Sequence, residues 1–252
     1  MILAVDIGNT RMKWALFEGD RMVAADVALR ADDGSCDLAE VLAQRGIDSG
    51  LVDCAMVCAT GRLELEKLTL GAARVEVLNA KTPMPITLDY ATPETLGPDR
   101  IAAACGAWKL CEGRGCVIVD AGTCITVDYL DGQGVFRGGA ILPGVEMKFR
   151  ALHTFTAKLP LFTDVDYLRE PVTGRTTREA MEAGVLTATR YAVEGFVMHY
   201  RKSEPDTQVL LTGGDANWVW GEGRLKVSNC VWEPYLVMLG LNEIAKGLEL
   251  KV

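Results

Sequence analysis

Apolar and polar positions divide this chain into two stretches that open alike. Met1 to Val5 is an unbroken apolar run, long enough for one buried strand. It stops at Asp6-Ile7-Gly8-Asn9-Thr10, after which Met12, Trp14, Leu16 and Phe17, interrupted by Arg11 and Lys13, form a second strand pattern. Two such runs joined by a short polar stretch predict a hairpin. The pattern returns at Cys116-Val117-Ile118, which leads into Val119-Asp120-Ala121-Gly122-Thr123. Beyond it Ile125, Val127 and Tyr129 alternate with Thr126 and Asp128. Asp6 and Asp120 stand 114 residues apart in a chain of 252, so the motif opens each half.

After the first hairpin the periodicity predicts a third antiparallel strand over Arg21–Leu29 and a short helix over Asp37–Arg45 that ends at Gly46. A buried strand over Leu51–Ala59, a helix over Glu64–Leu70 and a short strand over Val75–Leu78 follow. Pro83 and Pro85 exclude helix around them, so 82–86 should run extended. Gly97-Pro98-Asp99-Arg100 opens a helix through Leu110, with proline suited to the first helical position and an acid to the first turn. In the second half Val135–Arg137 reads as a strand, followed by the glycine-rich Gly138-Gly139-Ala140-Ile141-Leu142-Pro143-Gly144 and a helix over Val145–Leu152. Residues 160–171 lack a period. Thr176-Thr177-Arg178-Glu179 is a capping-box pattern ahead of a long helix to about His199. A strand over Val209–Leu211 and an apolar-periodic helix carrying Leu236, Leu239, Leu241 and Ile244 close the chain. Strands alternating with helices indicate an α/β architecture. The junction falls at Glu112-Gly113-Arg114-Gly115, giving domains at 1–114 and 115–252, with the last helix able to pack back on the first.

Composition narrows the function. The chain is 49% hydrophobic and 24% charged, and no apolar run approaches the ~20 residues of a membrane span. No basic, cleavable signal precedes the first strand, so a cytoplasmic protein is expected, with no membrane partner. A net charge of -8 without a Lys/Arg stripe argues against a nucleic-acid partner. The eight cysteines fall mostly in apolar surroundings without a Cys-x-x-Cys, and should be reduced thiols. With only His153 and His199, a zinc site is not expected.

The hairpin tips are where chemistry could sit. Gly8 permits close backbone approach to an anion, Asn9 and Thr10 add donors, and Asp6 could hold a divalent cation through water. A polar turn between strands would look the same, but its return at Asp120 favours a polyphosphate gripped from both halves. No Gly-x-x-x-x-Gly-Lys-[Ser/Thr] occurs, so a P-loop is excluded. Gly138-Gly139 serves either ligand approach or tight strand connections, and Met147, Lys148 and Arg150 line or flank the site. Asp99, on residues alone, is either a chemical group or a plain helix-start carboxylate.

The two hairpins together with Leu211-Thr212-Gly213-Gly214-Asp215 resemble the phosphate and adenosine motifs of the superfamily of acetate and sugar kinases, heat-shock chaperone ATPases and actin. Asp6-Ile7-Gly8-Asn9-Thr10, Leu96-Gly97-Pro98-Asp99-Arg100 and Asp120-Ala121-Gly122-Thr123 are, more narrowly, similar to type III pantothenate kinase, as are the stretches 138–144 and 152–160. The resemblance implies two ribonuclease-H-like α/β half-domains with a nucleotide cleft between them. It implies ATP-dependent phosphorylation of pantothenate in a homodimer, with Mg2+ and a monovalent cation, K+ or NH4+. On this resemblance Asp99 is the general base, and Asp6, Ile7, Gly8, Asn9, Thr10, Arg11, Met12, Lys13 and Thr123 bind ATP. Tyr90, Gly97, Pro98, Asp99, Arg100 and Thr177 bind pantothenate, Thr176 being a one-residue alternative. Asp120 holds the monovalent cation and Asp6 positions Mg2+ through water. Arg100 pairs with the substrate carboxylate or with a phosphate. The helix start and Arg100 should keep Asp99 ionised. Another small-molecule kinase of the superfamily, or a non-catalytic transcriptional relative, is the alternative. The family often carries Ser-Ser-Val where this chain has Ala59-Thr60-Gly61.

Overall fold

A computed structural model describes the chain apart from residues 9–10, 30–35, 61–67, 70–73, 170, 217–225 and 250–252. The chain falls into two compact units, Met1–Glu112 with Tyr235–Val252, and Gly113–Pro234.

In the first unit, β1 (Ile2–Ile7), β2 (Arg11–Glu18) and β3 (Arg21–Leu29) form an antiparallel meander. A two-residue strand β4 (Cys36–Asp37) and helix α1 (Leu38–Ala43) follow, then β5 (Cys54–Ala59), β6 (Leu68–Thr69), β7 (Arg74–Val77), β8 (Thr87–Leu88) and α2 (Pro98–Leu110). β5 runs parallel to β1 and β7 parallel to β5, so the sheet order is β3-β2-β1-β5-β7. Strand side chains alternate between faces. Leu3, Val5 and Ile7 accordingly share one core with Trp14, Leu16, Val57 and the α1 residues Leu38 and Leu42.

The second unit repeats the plan. β9 (Cys116–Ala121), β10 (Cys124–Leu130) and β11 (Val135–Pro143) form a meander, followed by α3 (Val145–Thr154), α4 (Thr177–Glu182), α5 (Ala188–Tyr200), β12 (Gln208–Thr212) and β13 (Cys230–Trp232). β12 is parallel to β9 and β13 to β12, giving the order β11-β10-β9-β12-β13. Val117, Val119 and Ala121 pack with Phe149 of α3 and with Val193 and Val197 of α5.

The last helix, α6 (Leu236–Glu249), belongs to the first unit, where it lies against α2, β1 and β5. Two glycines permit that contact. A Cβ on Gly240 would stand 1.8 Å from the Ala102 carbonyl oxygen, and one on Gly106 would stand 2.3 Å from that of Leu236.

Several boundaries depart from expectation. The helix expected over 37–45 is shorter, with Asp37 as its cap accepting from the Glu40 amide at 3.0 Å. Most of the helix expected at 64–70 lies outside the described residues, and Leu68–Thr69 pairs as a strand with Cys36–Asp37. The glycine-rich passage after Arg137 is strand rather than connection, because a Cβ on Gly139 would sit 2.1 Å from the Val127 carbonyl of β10. Those glycines serve strand pairing. The long helix is one run interrupted by a π-helical turn at Ala183–Thr187. No described cysteine forms a disulfide, and no described helix is long and apolar enough to cross a membrane.

The glycines predict stability changes of opposite sign. Gly240→Ala should destabilise by roughly 1–3 kcal/mol, as overpacked cores do, because backbone has to move. Gly195→Ala, within α5 with nothing near its Cβ, should gain about 0.5–1 kcal/mol. Urea denaturation of the two variants checks both signs.

Candidate active site

Strand alternation delivers Asp6 to a particular place. With Leu3, Val5 and Ile7 on the α1 face, Asp6 points to the opposite face of β1, the side on which α2 and α6 pack. Burial raises its pKa; Lys13 pulls it down, Asp99 pushes it up again, and a hydrogen bond from Cys58 lowers it. Lys13 lies directly across the hairpin and Cys58 directly across the parallel pair, its Sγ 3.5 Å from Asp6 Oδ1.

Asp99 sits in the first turn of α2, behind Gly97 at the cap and Pro98 at the first helical position. Its Oδ1 accepts from the Arg100 amide at 2.9 Å. The ionising influence of the helix start is therefore present, but burial outweighs it and the pKa is raised. Burial thus works against the helix start and Arg100, which were expected to keep Asp99 ionised. A carboxylate that binds protons more tightly is also the stronger base. Arg100 itself is buried, with its guanidinium carbon 5.9 Å from the Tyr90 ring centroid. The first unit thus brings together Asp6, Lys13 and Asp99, with Gly97, Pro98 and Arg100 beside Asp99 in the chain and Tyr90 against Arg100.

In the second unit Asp120 is the penultimate residue of β9 and Thr123 is exposed in the hairpin turn, which is closed by the Gly122 amide donating to Cys124 O at 2.9 Å. Backbone crowds this turn. A Cβ on Gly213, whose φ is +93°, would lie 2.4 Å from Asp120 Oδ1 and 2.2 Å from Ala121 O. A Cβ on Gly144, at the start of α3, would lie 2.2 Å from Gly122 O. The Asp215 amide donates to Ala121 O at 2.9 Å, and burial followed by Glu146 raises the Asp215 pKa. Burial lowers the pKa of Lys148, whose Nζ donates to Thr189. Thr176 is committed to capping α4, accepting from the Glu179 amide at 3.2 Å, while Thr177 is exposed at the first helical position.

Asn9, Thr10 and the Arg11 side chain lie outside the described residues. Ile7 and Met12 bury their side chains in the core, so only their main chain is available to a ligand. Reading the sequence missed Cys58, because its contact with Asp6 depends on the register of a parallel pair 52 residues apart. As for metals, no described cluster of three or more His, Cys, Asp or Glu could hold an ion. Asp6 still suits Mg2+, which keeps several waters and binds through one or two carboxylates plus substrate phosphates.

The chain matches the family described as type III pantothenate kinase over residues 2–199. A type III pantothenate kinase of Phocaeicola vulgatus is 36% identical over 246 residues, covering 97% of each chain. Among solved structures, a protein assigned to the Baf family of transcriptional activators from Campylobacter jejuni aligns with TM-score 0.59 at 18% identity, covering 98% of each chain. A ROK hexokinase of Thermus thermophilus aligns with TM-score 0.54 at 17% identity, covering 99% of each chain. At such identities the likeness concerns the fold alone, an α/β fold shared with sugar kinases. The sequence match reaches further, through both hairpins and the helix start that carries Asp99: the chain belongs to the type III pantothenate kinase family.

Proposed function

We propose that this protein transfers the γ-phosphoryl group of ATP to the primary hydroxyl of pantothenate, giving 4'-phosphopantothenate, the first step toward coenzyme A. Family membership supplies the substrate. The observation that carries the chemistry is the acid pair in the first unit, Asp6 at the end of β1 and Asp99 at the start of α2, both with raised pKa.

Asp99 accepts the hydroxyl proton as the oxygen forms its bond to the γ-phosphorus, and the bond to the ADP oxygen breaks. Gly8, Asn9, Thr10 and Lys13, with the main chain of Ile7, Arg11 and Met12, cradle the phosphates, and Thr123 contacts them from the second hairpin. Tyr90, Gly97, Pro98, Arg100 and Thr177 hold pantothenate, with Arg100 offering the charge that a carboxylate or phosphate needs. Asp6 would position Mg2+ through water, and Asp120 would hold K+ or NH4+; both cations offset phosphate charge. Phosphoryl transfer asks little covalent help of a protein, so alignment and charge compensation supply most of the rate. The enzyme works in the cytoplasm as a homodimer.

Asp99→Asn should lower kcat roughly 100- to 10,000-fold, the usual contribution of a positioned base, while both substrates still bind. A rate near wild type in a coupled ATP/pantothenate assay removes Asp99 from that role. Because its pKa is raised above 3.8, the acid limb of kcat/KM should lie above that value and vanish in the variant. The sign for stability follows from the same shift. A raised folded-state pKa makes the ionised form costly, a cost that appears as pH rises through that pKa. Asp99→Asn should therefore match or exceed the wild-type Tm at neutral pH, and the difference should shrink as pH falls through the raised pKa and be gone below 3.8. Activity should also require K+ or NH4+; equal rates in K+ and tetramethylammonium would remove the monovalent cation from Asp120.

A further inference from the structure

Gly97 occupies the cap position of α2, where Ser, Asp and Asn are favoured because their side chains accept from the second or third helical amide. Nothing about its backbone asks for glycine, since φ −56° and ψ 128° suit any residue. What asks for glycine is room. A Cβ at this position would lie 2.5 Å from Asp99 Oδ1, 3.7 Å from Asp99 Cγ and 3.8 Å from Arg100 Cδ. Arg100 is the third helical residue, and its amide, one of the two a cap side chain could take, donates to Asp99 Oδ1 at 2.9 Å as well as to the Gly97 carbonyl at 3.1 Å.

We infer that Gly97 is a positioning residue for the base. By giving up its own capping side chain it cedes that space and that amide to Asp99, whose first oxygen is pinned by the helix while its second is left to the substrate hydroxyl. The inference rests on Asp99 being the base. A residue that capped the helix better would therefore make a worse enzyme, a trade of activity against stability confined to one side chain.

The test is Gly97→Ser, alone and with Asp99→Asn. Serine can cap, so the single variant should keep or raise the wild-type Tm, yet its kcat should fall roughly 100-fold, the scale of a displaced catalytic group, with KM for ATP unchanged. In the Asp99→Asn background the same change should cost less than about twofold, because the two residues act through one carboxylate. Gly97→Ala should lose kcat likewise without the gain in Tm. A kcat for Gly97→Ser within about threefold of wild type would overturn the inference, and so would a further loss of about tenfold in the double variant, which would mean that the added side chain obstructs pantothenate itself rather than Asp99. A lowered Tm with unchanged kcat per folded molecule would overturn it too. A readout independent of turnover separates this from the function itself. In amide NMR spectra Asp99→Asn should move the Arg100 resonance clearly more in the wild-type background than in Gly97→Ser. If Asp99→Asn stays fully active, the base assignment falls whatever that resonance does; if Asp99→Asn is dead and the resonance responds equally in both backgrounds, only the role of Gly97 falls.

Discussion

Burying a carboxylate near another carboxylate costs free energy that packing alone does not return. Asp6 and Asp99 are in that situation: each has lost water, and the charge on Asp99 pushes the pKa of Asp6 further up. Lys13 and Cys58 offset part of this for Asp6, and the Arg100 amide does so for Asp99. A site left short of positive charge has a use for it. On the proposed function, Mg2+ brought in with a nucleotide would supply that charge. The acidic net charge of -8 makes the same point on the scale of the whole chain, because phosphate has to be met by locally placed cations and amides.

The position of this pair depends on contacts well away from it. Asp99 rides on the first turn of α2, and α2 is held by close backbone approach to α6 at Gly240 and Gly106. The contact at Ala102 lies one turn beyond Asp99, and α6 in turn lies on β1, the strand that carries Asp6. Helix packing at glycine distance therefore sets how the two acids face each other. A substitution at either glycine would reach the site through the helix as well as weaken the fold.

The hairpins were legible because the same sequence, an apolar run that stops at Asp-x-Gly and resumes as a second strand, returns after 114 residues. The start of α2 was legible for a similar reason: Pro98 and Asp99 each carry a helix-start preference, and the two agree. What could not be read were consequences of three-dimensional neighbours. Gly138 and Gly139 have the composition of a loop, yet Gly139 lies within a strand because of how closely β10 approaches it. Cys58 looks like any apolar strand residue until the register of β5 on β1 sets it beside Asp6. The direction of the Asp99 pKa depended on burial, which a helix-start motif does not report.

The two units share a strand order, and two helices carry a proline near their starts, Pro98 as the first residue of α2 and Pro234 two residues ahead of α6. The correspondence ends one residue later. After Pro98 stands Asp99, with Gly97 before it leaving its space open; after Pro234 stands Tyr235, with Glu233 before it. A repeated fold readily supplies two similar turns, because the turn geometry comes with the meander. Moving a proton needs one acid held differently from everything around it. That difference lies in the local chemistry of a single helix start, where an absent side chain at residue 97 decides what the side chain at residue 99 can do.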